Sequence, residues 1–242
     1  MSKKRPFAIS LVLLLAATTV GAADFSGVWE RDPNPYKAGV DYAPPPGGTP
    51  DLREPYANSY KNYIRNRDAA LKRGEPLPDP SILCKPEGMP TLMAGAPYYI
   101  EILQAKDKVV VLTEFLSQTR RIFLGAKLPP LEEISFGYSG YSAGHWEGET
   151  LVVHTAGVRE DVQMLGIPHS RNMQIIERIR LISMDRLQDQ FLIEDPATLA
   201  KPYKFTVEYR RVPGYQIMEY VCDNNRWHVD EHGQSTLQPV TQ

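Results

Sequence analysis

Glu177 is the residue whose setting most invites a chemical role. In the run Ile175 to Ile182, strand alternation puts Ile175, Glu177, Ile179 and Leu181 on one face and Ile176, Arg178, Arg180 and Ile182 on the other. A carboxylate among three aliphatic side chains must find a partner or hold its proton more tightly than usual. Two uses fit that setting. One is a general acid or base inside a barrel. The other is half of a structural ion pair with an arginine on a neighbouring strand, such as Arg121 or one beside Arg178. His169 and Ser170 lie just before the strand, after Gly166-Ile167-Pro168. The eight residues from His169 to Glu177 span about 26 Å when extended, so a bend or bulge is needed for the two to meet.

The remaining histidines offer less. His145 precedes Trp146, and His154 ends Leu151-Val152-Val153. His228 and His232 have i,i+4 spacing but enclose Asp230 and Glu231 rather than an HExxH pattern, so no metal site is expected there. Trp146, Tyr98, Tyr138 and Tyr209 lie on or beside candidate strands. Aromatic rings with a few polar groups form pockets for apolar ligands, and they also form ordinary β cores. The chain has no GxSxG, no P-loop and no GxGxxG opening a helix, so no cofactor is expected.

The scaffold that positions these residues is expected outside the cytoplasm. Lys3, Lys4 and Arg5 precede an apolar run from Phe7 to Ala17, and small residues follow at Gly21, Ala22 and Ala23. The pattern is that of a signal peptide over residues 1–23, its apolar run too short to span a bilayer. No later stretch is long and apolar enough to cross a membrane as a helix. Loss of Lys3, Lys4 and Arg5 takes 27 basic residues to 24, against 29 acidic ones, so the formal charge moves from −2 to −5. A mildly acidic surface argues against nucleic acid as a partner. Cys84 and Cys222 are the two cysteines, and in an oxidising compartment they most simply form one disulfide. The rival uses, a free nucleophile or half of a metal site, lack a CxxC partner or a nearby histidine.

From residue 98 onward the hydrophobic period is two. Strands are expected at 98–103, 108–115, 118–124, 143–147, 149–155, 172–182, 188–194, 204–211 and 216–222, after an opening strand at 25–30. Glu147-Gly148 suits a tight hairpin. About ten strands with short connections and no crossover helices point to an antiparallel barrel or sandwich. One helix is expected from about Glu54 to Arg73, where Tyr56, Tyr60, Tyr63, Ile64 and Leu71 recur at helical spacing between Pro55 and Gly74. Pro-rich loops flank it, so residues 24–242 read as one mainly β domain with a helix-and-loop extension over about 32–97.

The stretch Gly144-His145-Trp146-Glu147-Gly148-Glu149-Thr150-Leu151-Val152-Val153 resembles the W-E-G-[DE]-[ST]-L-V-V motif of a family of uncharacterised exported bacterial proteins. Phe25 to Trp29, Pro76 to Pro80, Cys84 to Pro90, His169-Ser170, Glu177-Arg178 and Glu219 to Cys222 extend the likeness along the chain. It departs from the family at Glu149, usually Asp, and at His154, usually an acid. The resemblance implies export and no particular activity. Gly27-Val28-Trp29 is also similar to the first strand of lipocalin-like barrels, which implies a cup of about 8–10 strands with a ligand mouth. Three functions follow as expectations: a barrel binding an apolar or aromatic small molecule, a cofactor-independent acid–base enzyme (lyase, isomerase or hydratase) on the same barrel, and a structural envelope protein.

Overall fold

The computed structural model describes residues 22–34, 44–75, 84–95, 98–222, 227–229 and 235–237. Most of the leader, the Pro76 to Pro80 segment and His232 lie outside them. Nine strands close into one barrel: β1 (Gly27–Arg31), β2 (Ile100–Gln104), β3 (Lys108–Thr113), β4 (Thr119–Leu124), β5 (Tyr141–Glu147), β6 (Thr150–Ala156), β7 (Gln174–Ser183), β8 (Arg186–Glu194) and β9 (Tyr203–Arg211). β1 pairs with both β2 and β9, which leaves the barrel no free edge. β10 (Trp227–Val229) and β11 (Ser235–Leu237) form a second, two-stranded antiparallel sheet.

The expectation of a wholly antiparallel barrel is corrected at one pair. β4 and β5 run parallel, Ile122 beside Ser142 and Leu124 beside Gly144. Parallel neighbours need a long connection. Residues 125–140 supply it, returning the chain to the opposite end before β5 begins. The expected strand at 216–222 is also corrected: Tyr215 to Cys222 belongs to no sheet. Side chains from the β3–β4 connection hold it instead. Glu114 accepts from the Tyr215 hydroxyl at 2.6 Å and from the Met218 amide at 2.9 Å, and Ser117 donates to the Tyr220 carbonyl at 3.1 Å.

Both barrel ends are stoppered. At the end holding the β5–β6 turn, here the upper end, Phe25 is buried and its ring lies 5.2 Å from that of Trp146. Its carbonyl accepts from the Trp29 indole at 2.9 Å, and its amide donates to Gln104 at 3.1 Å. At the lower end the short helix α2 (Thr91–Ala94) follows Met89 inward, and Met89, Leu92, Met93 and Ala94 are almost wholly buried. Gly88 permits this entry. Its φ is 63°, and a Cβ there would stand 2.2 Å from the Tyr138 carbonyl oxygen. Cys84, at the head of this segment, is bonded to Cys222 with Cα atoms 5.7 Å apart.

The expected helix is α1 (Tyr56–Arg73), with Pro55 at its N-cap and Gly74 closing it in the left-handed conformation. Its tyrosine stripe packs on the barrel's lower loops. Tyr60 is buried, and Tyr63 lies where a Cβ on Gly166 would otherwise stand.

Candidate functional site

Alternation sends a coherent set of side chains into the barrel. Arg120 from β4, Ser142 from β5, Thr155 from β6, Glu177 from β7 and Asp189 from β8 meet inside it, each at most 1% exposed. The Arg120 guanidinium grips Glu177 in a two-pronged ion pair, 2.7 Å to Oε1 and 2.5 Å to Oε2. It also donates to the Ser142 hydroxyl at 3.2 Å and to Thr155 at 2.9 Å, and those two hydroxyls lie 2.8 Å apart. Planar pairing and extra hydrogen bonds are what a buried ion pair needs to offset its desolvation. Asp189 differs. Both its oxygens are buried, and among the described residues no N–H or O–H group donates to either. Burial, and next the Glu177 charge, hold its carboxyl well above the usual carboxylate range. Above the cluster the buried Tyr209 phenol donates to the Met93 carbonyl, and burial pushes its titration upward.

Glu177 therefore sits on the buried face, as the alternation predicts, but its partner is Arg120 rather than Arg121 or a neighbour of Arg178. Arg178 points outward to Glu147 at 2.9 Å. The sequence Thr119-Arg120-Arg121-Ile122-Phe123-Leu124 offers aliphatic or aromatic residues on both faces. Ile122 is the one that enters the core, carrying Arg120 with it, while Phe123 stacks on Tyr141 at 5.2 Å.

His169 belongs to the lower loops and shares no hydrogen bond with Glu177. Its Nε2 is 2.7 Å from the Val162 carbonyl and its Nδ1 2.9 Å from that of Ser170. A neutral ring donates to only one of these oxygens, an imidazolium to both. Ser170 turns away from it. Its hydroxyl donates to Asp195 Oδ1 at 2.7 Å, its amide donates to Oδ2 at 2.6 Å, and the hydroxyl accepts from the Asn172 amide at 3.1 Å. These bonds fix a turn and leave no Ser–His contact of the kind that activates a nucleophile.

His169 and Asp195 border a recess at the lower mouth. Its apolar lining comes from Met164, Ile167, Met173, Ile193 and Leu199, with Pro90 before α2 and Tyr203 from β9. As it stands the recess is a cavity of only about 30 Å³. That is room for about one water and well below the volume of ligand pockets, so a larger guest needs the lining side chains to part. The Tyr203 hydroxyl is directed away, to the Gly48 carbonyl at 2.8 Å, and burial raises its titration.

The four aromatic residues expected to bind ligand do not converge. Trp146 meets Phe25 near the upper end, and Tyr209 lies inside the barrel against α2. Tyr98 stacks on Phe115 at 4.3 Å. Tyr138 lies under the Arg159 guanidinium, 5.0 Å from ring centre to charge. His145 and His154 face each other across the β5–β6 pair, ring centres 6.5 Å apart. No group of three or more metal-ligating side chains occurs among the described residues.

The barrel is similar to crystal structures of two mutants of the fluorescent protein UnaG. One matches at 16% identity with a TM-score of 0.34, over 78% of this chain and 96% of that one. The other matches at 14% identity and the same TM-score, over 77% and 95%. A likeness of that size carries no argument about what this barrel holds. No protein-family model matches the chain, and no curated protein does.

Sequence reasoning passed over Arg120, Asp189 and Asp195. Asp189 was open to the same argument as Glu177, because it alternates with Leu187, Phe191 and Ile193 on one face of β8. Asp195 lies one residue beyond that strand, where alternation gives no guidance.

Proposed function

We propose that this is an exported barrel that binds one small apolar or aromatic molecule at its lower mouth, in the recess that opens when Met164 and Met173 swing aside. The observation that carries the reading is the lining. Apolar side chains converge there; of the polar groups, His169 and Asp195 are engaged with backbone and Ser170, and the buried Thr198 hydroxyl alone has no hydrogen-bond partner among the described residues. Apolar burial would thus supply most of the affinity. The barrel interior has no comparable role, because the Arg120–Glu177 pair, Trp29, Met93 and Leu187 fill it. The acid–base reading requires Glu177 and His169 to leave their present partners before either could meet a substrate.

The test is native mass spectrometry of protein from its own host, followed by titration with indole. Wild type is expected to carry or take up one small apolar molecule. Ile193→Trp, which fills the recess, is expected to lose it. Equal binding by both proteins, or none by wild type, would overturn the reading.

Export rests on the leader pattern and agrees with the Cys84–Cys222 bond, since disulfides persist in oxidising compartments. The mature chain is expected to begin near Ala23 or Asp24 on N-terminal sequencing. Cytoplasmic protein retaining Met1 would contradict it.

A further inference from the structure

We propose that the Glu177 and Asp189 carboxyls share one proton inside the barrel, carried by Asp189 and donated to Glu177, and that loss of this proton sets the alkaline limit of the fold. Asp189 buries both oxygens, and no N–H or O–H donor among the described residues reaches either. An ionised carboxylate there would feel the Arg120 charge but would have no hydrogen bond to offset its burial. A neutral acid has a donor of its own, and the acceptor within its reach is Glu177. Glu177 is the member that stays ionised, because both its oxygens receive Arg120 N–H groups. The interior then holds one positive and one negative charge beside one neutral acid.

The charged and titratable groups around the pair come from every strand packed against it. Arg120 approaches from β4 and Tyr209 from β9, and Arg31 on β1 acts on Tyr209. Ser142 and Thr155 on β5 and β6 do not titrate in this range. Arg120 is paired with Glu177 and donates no hydrogen bond to Asp189.

The sign of the pH dependence follows. In the unfolded chain an aspartate releases its proton near pH 3.9, whereas the folded chain keeps it to much higher pH. Between the two, the native state binds one more proton than the unfolded state. This contribution is whole below about pH 3.9 and shrinks as pH rises, by up to tenfold in the folding equilibrium per pH unit.

Asp189→Asn tests the proposal, since an amide keeps the donor and cannot ionise. Urea unfolding of wild type and variant between pH 5 and pH 9 is the measurement. The ratio of their unfolding constants is expected to move in the variant's favour by up to tenfold per pH unit. Parallel pH profiles would overturn the proposal. Infrared spectroscopy of wild type at pH 8 keeps the test open if the variant does not fold. A protonated carboxyl stretch is expected in the native protein and not after unfolding, and its absence would refute the proposal. So would its persistence in a folded Asp189→Asn variant.

Discussion

Arg120→Met is expected to lower the unfolding free energy by about 3–5 kcal/mol at neutral pH. Methionine approximates the arginine stem but leaves Glu177, 0% exposed, without the cation it pairs with. Removing one member of a buried pair costs far more than the pair contributes, because the survivor keeps its desolvation penalty. The loss should ease as pH falls. Without Arg120 the folded state sheds its buried charge by taking a proton onto the stranded carboxylate. The variant then binds an extra proton on folding, and its stability recovers toward acid pH. Replacing both partners, Arg120→Met with Glu177→Leu, is expected to recover much of the deficit, since apolar pairs often match buried ion pairs. Glu177→Gln should cost less than Arg120→Met, because Asp189 can then release its proton and face the arginine. Urea melts at pH 5 and pH 7.5 check all four statements. A loss below about 1 kcal/mol for Arg120→Met would mean that the pair is not the interior support described here.

Cys222→Ser is expected to cost about 2–5 kcal/mol. The bond joins positions 138 residues apart, and in the chain-entropy model a loop of that size restricts the unfolded chain by on the order of 4–5 kcal/mol. Its native attachment points add a local consequence. Cys84 heads the segment that carries Met89 and α2 into the lower end, and Cys222 closes the segment held by Glu114 and Ser117. Hydrogen exchange in the variant should therefore quicken first at Gly88, Met89 and Met218, whose amides donate to Gln118, Tyr138 and Glu114. A thermal melt within error of wild type would contradict the expected loss.

The barrel was legible because period-two alternation is a local property, and it located eight of its nine strands together with the opening one to within a few residues. The parallel β4–β5 pair was not, since nothing in residues 125–140 says on which side of the sheet the chain returns. Glu177 could be placed on a buried face from Ile175 and Ile179 alone. Its partner could not, because choosing Arg120 over Arg121 depends on whether Ile122 or Phe123 enters the core, and that is decided by packing across the barrel. The segment at 216–222 misled for a related reason. Its residues suit a strand, but an extended chain becomes one only where a neighbour offers its backbone, and Glu114 and Ser117 offer side chains instead. The recess was invisible for the same cause: Met164, Ile167 and Met173 come from a loop without periodicity and meet Ile193 and Leu199 only through the fold.

Methyl-resolved NMR during titration with indole tests the binding reading most directly. Saturable shifts are expected at Met164, Met173, Ile167 and Ile193 around the recess, with Val153 and Ile179, which flank Glu177 in the interior, unmoved. Shifts centred on Val153 and Ile179, or none that saturate, would contradict a ligand at the lower mouth.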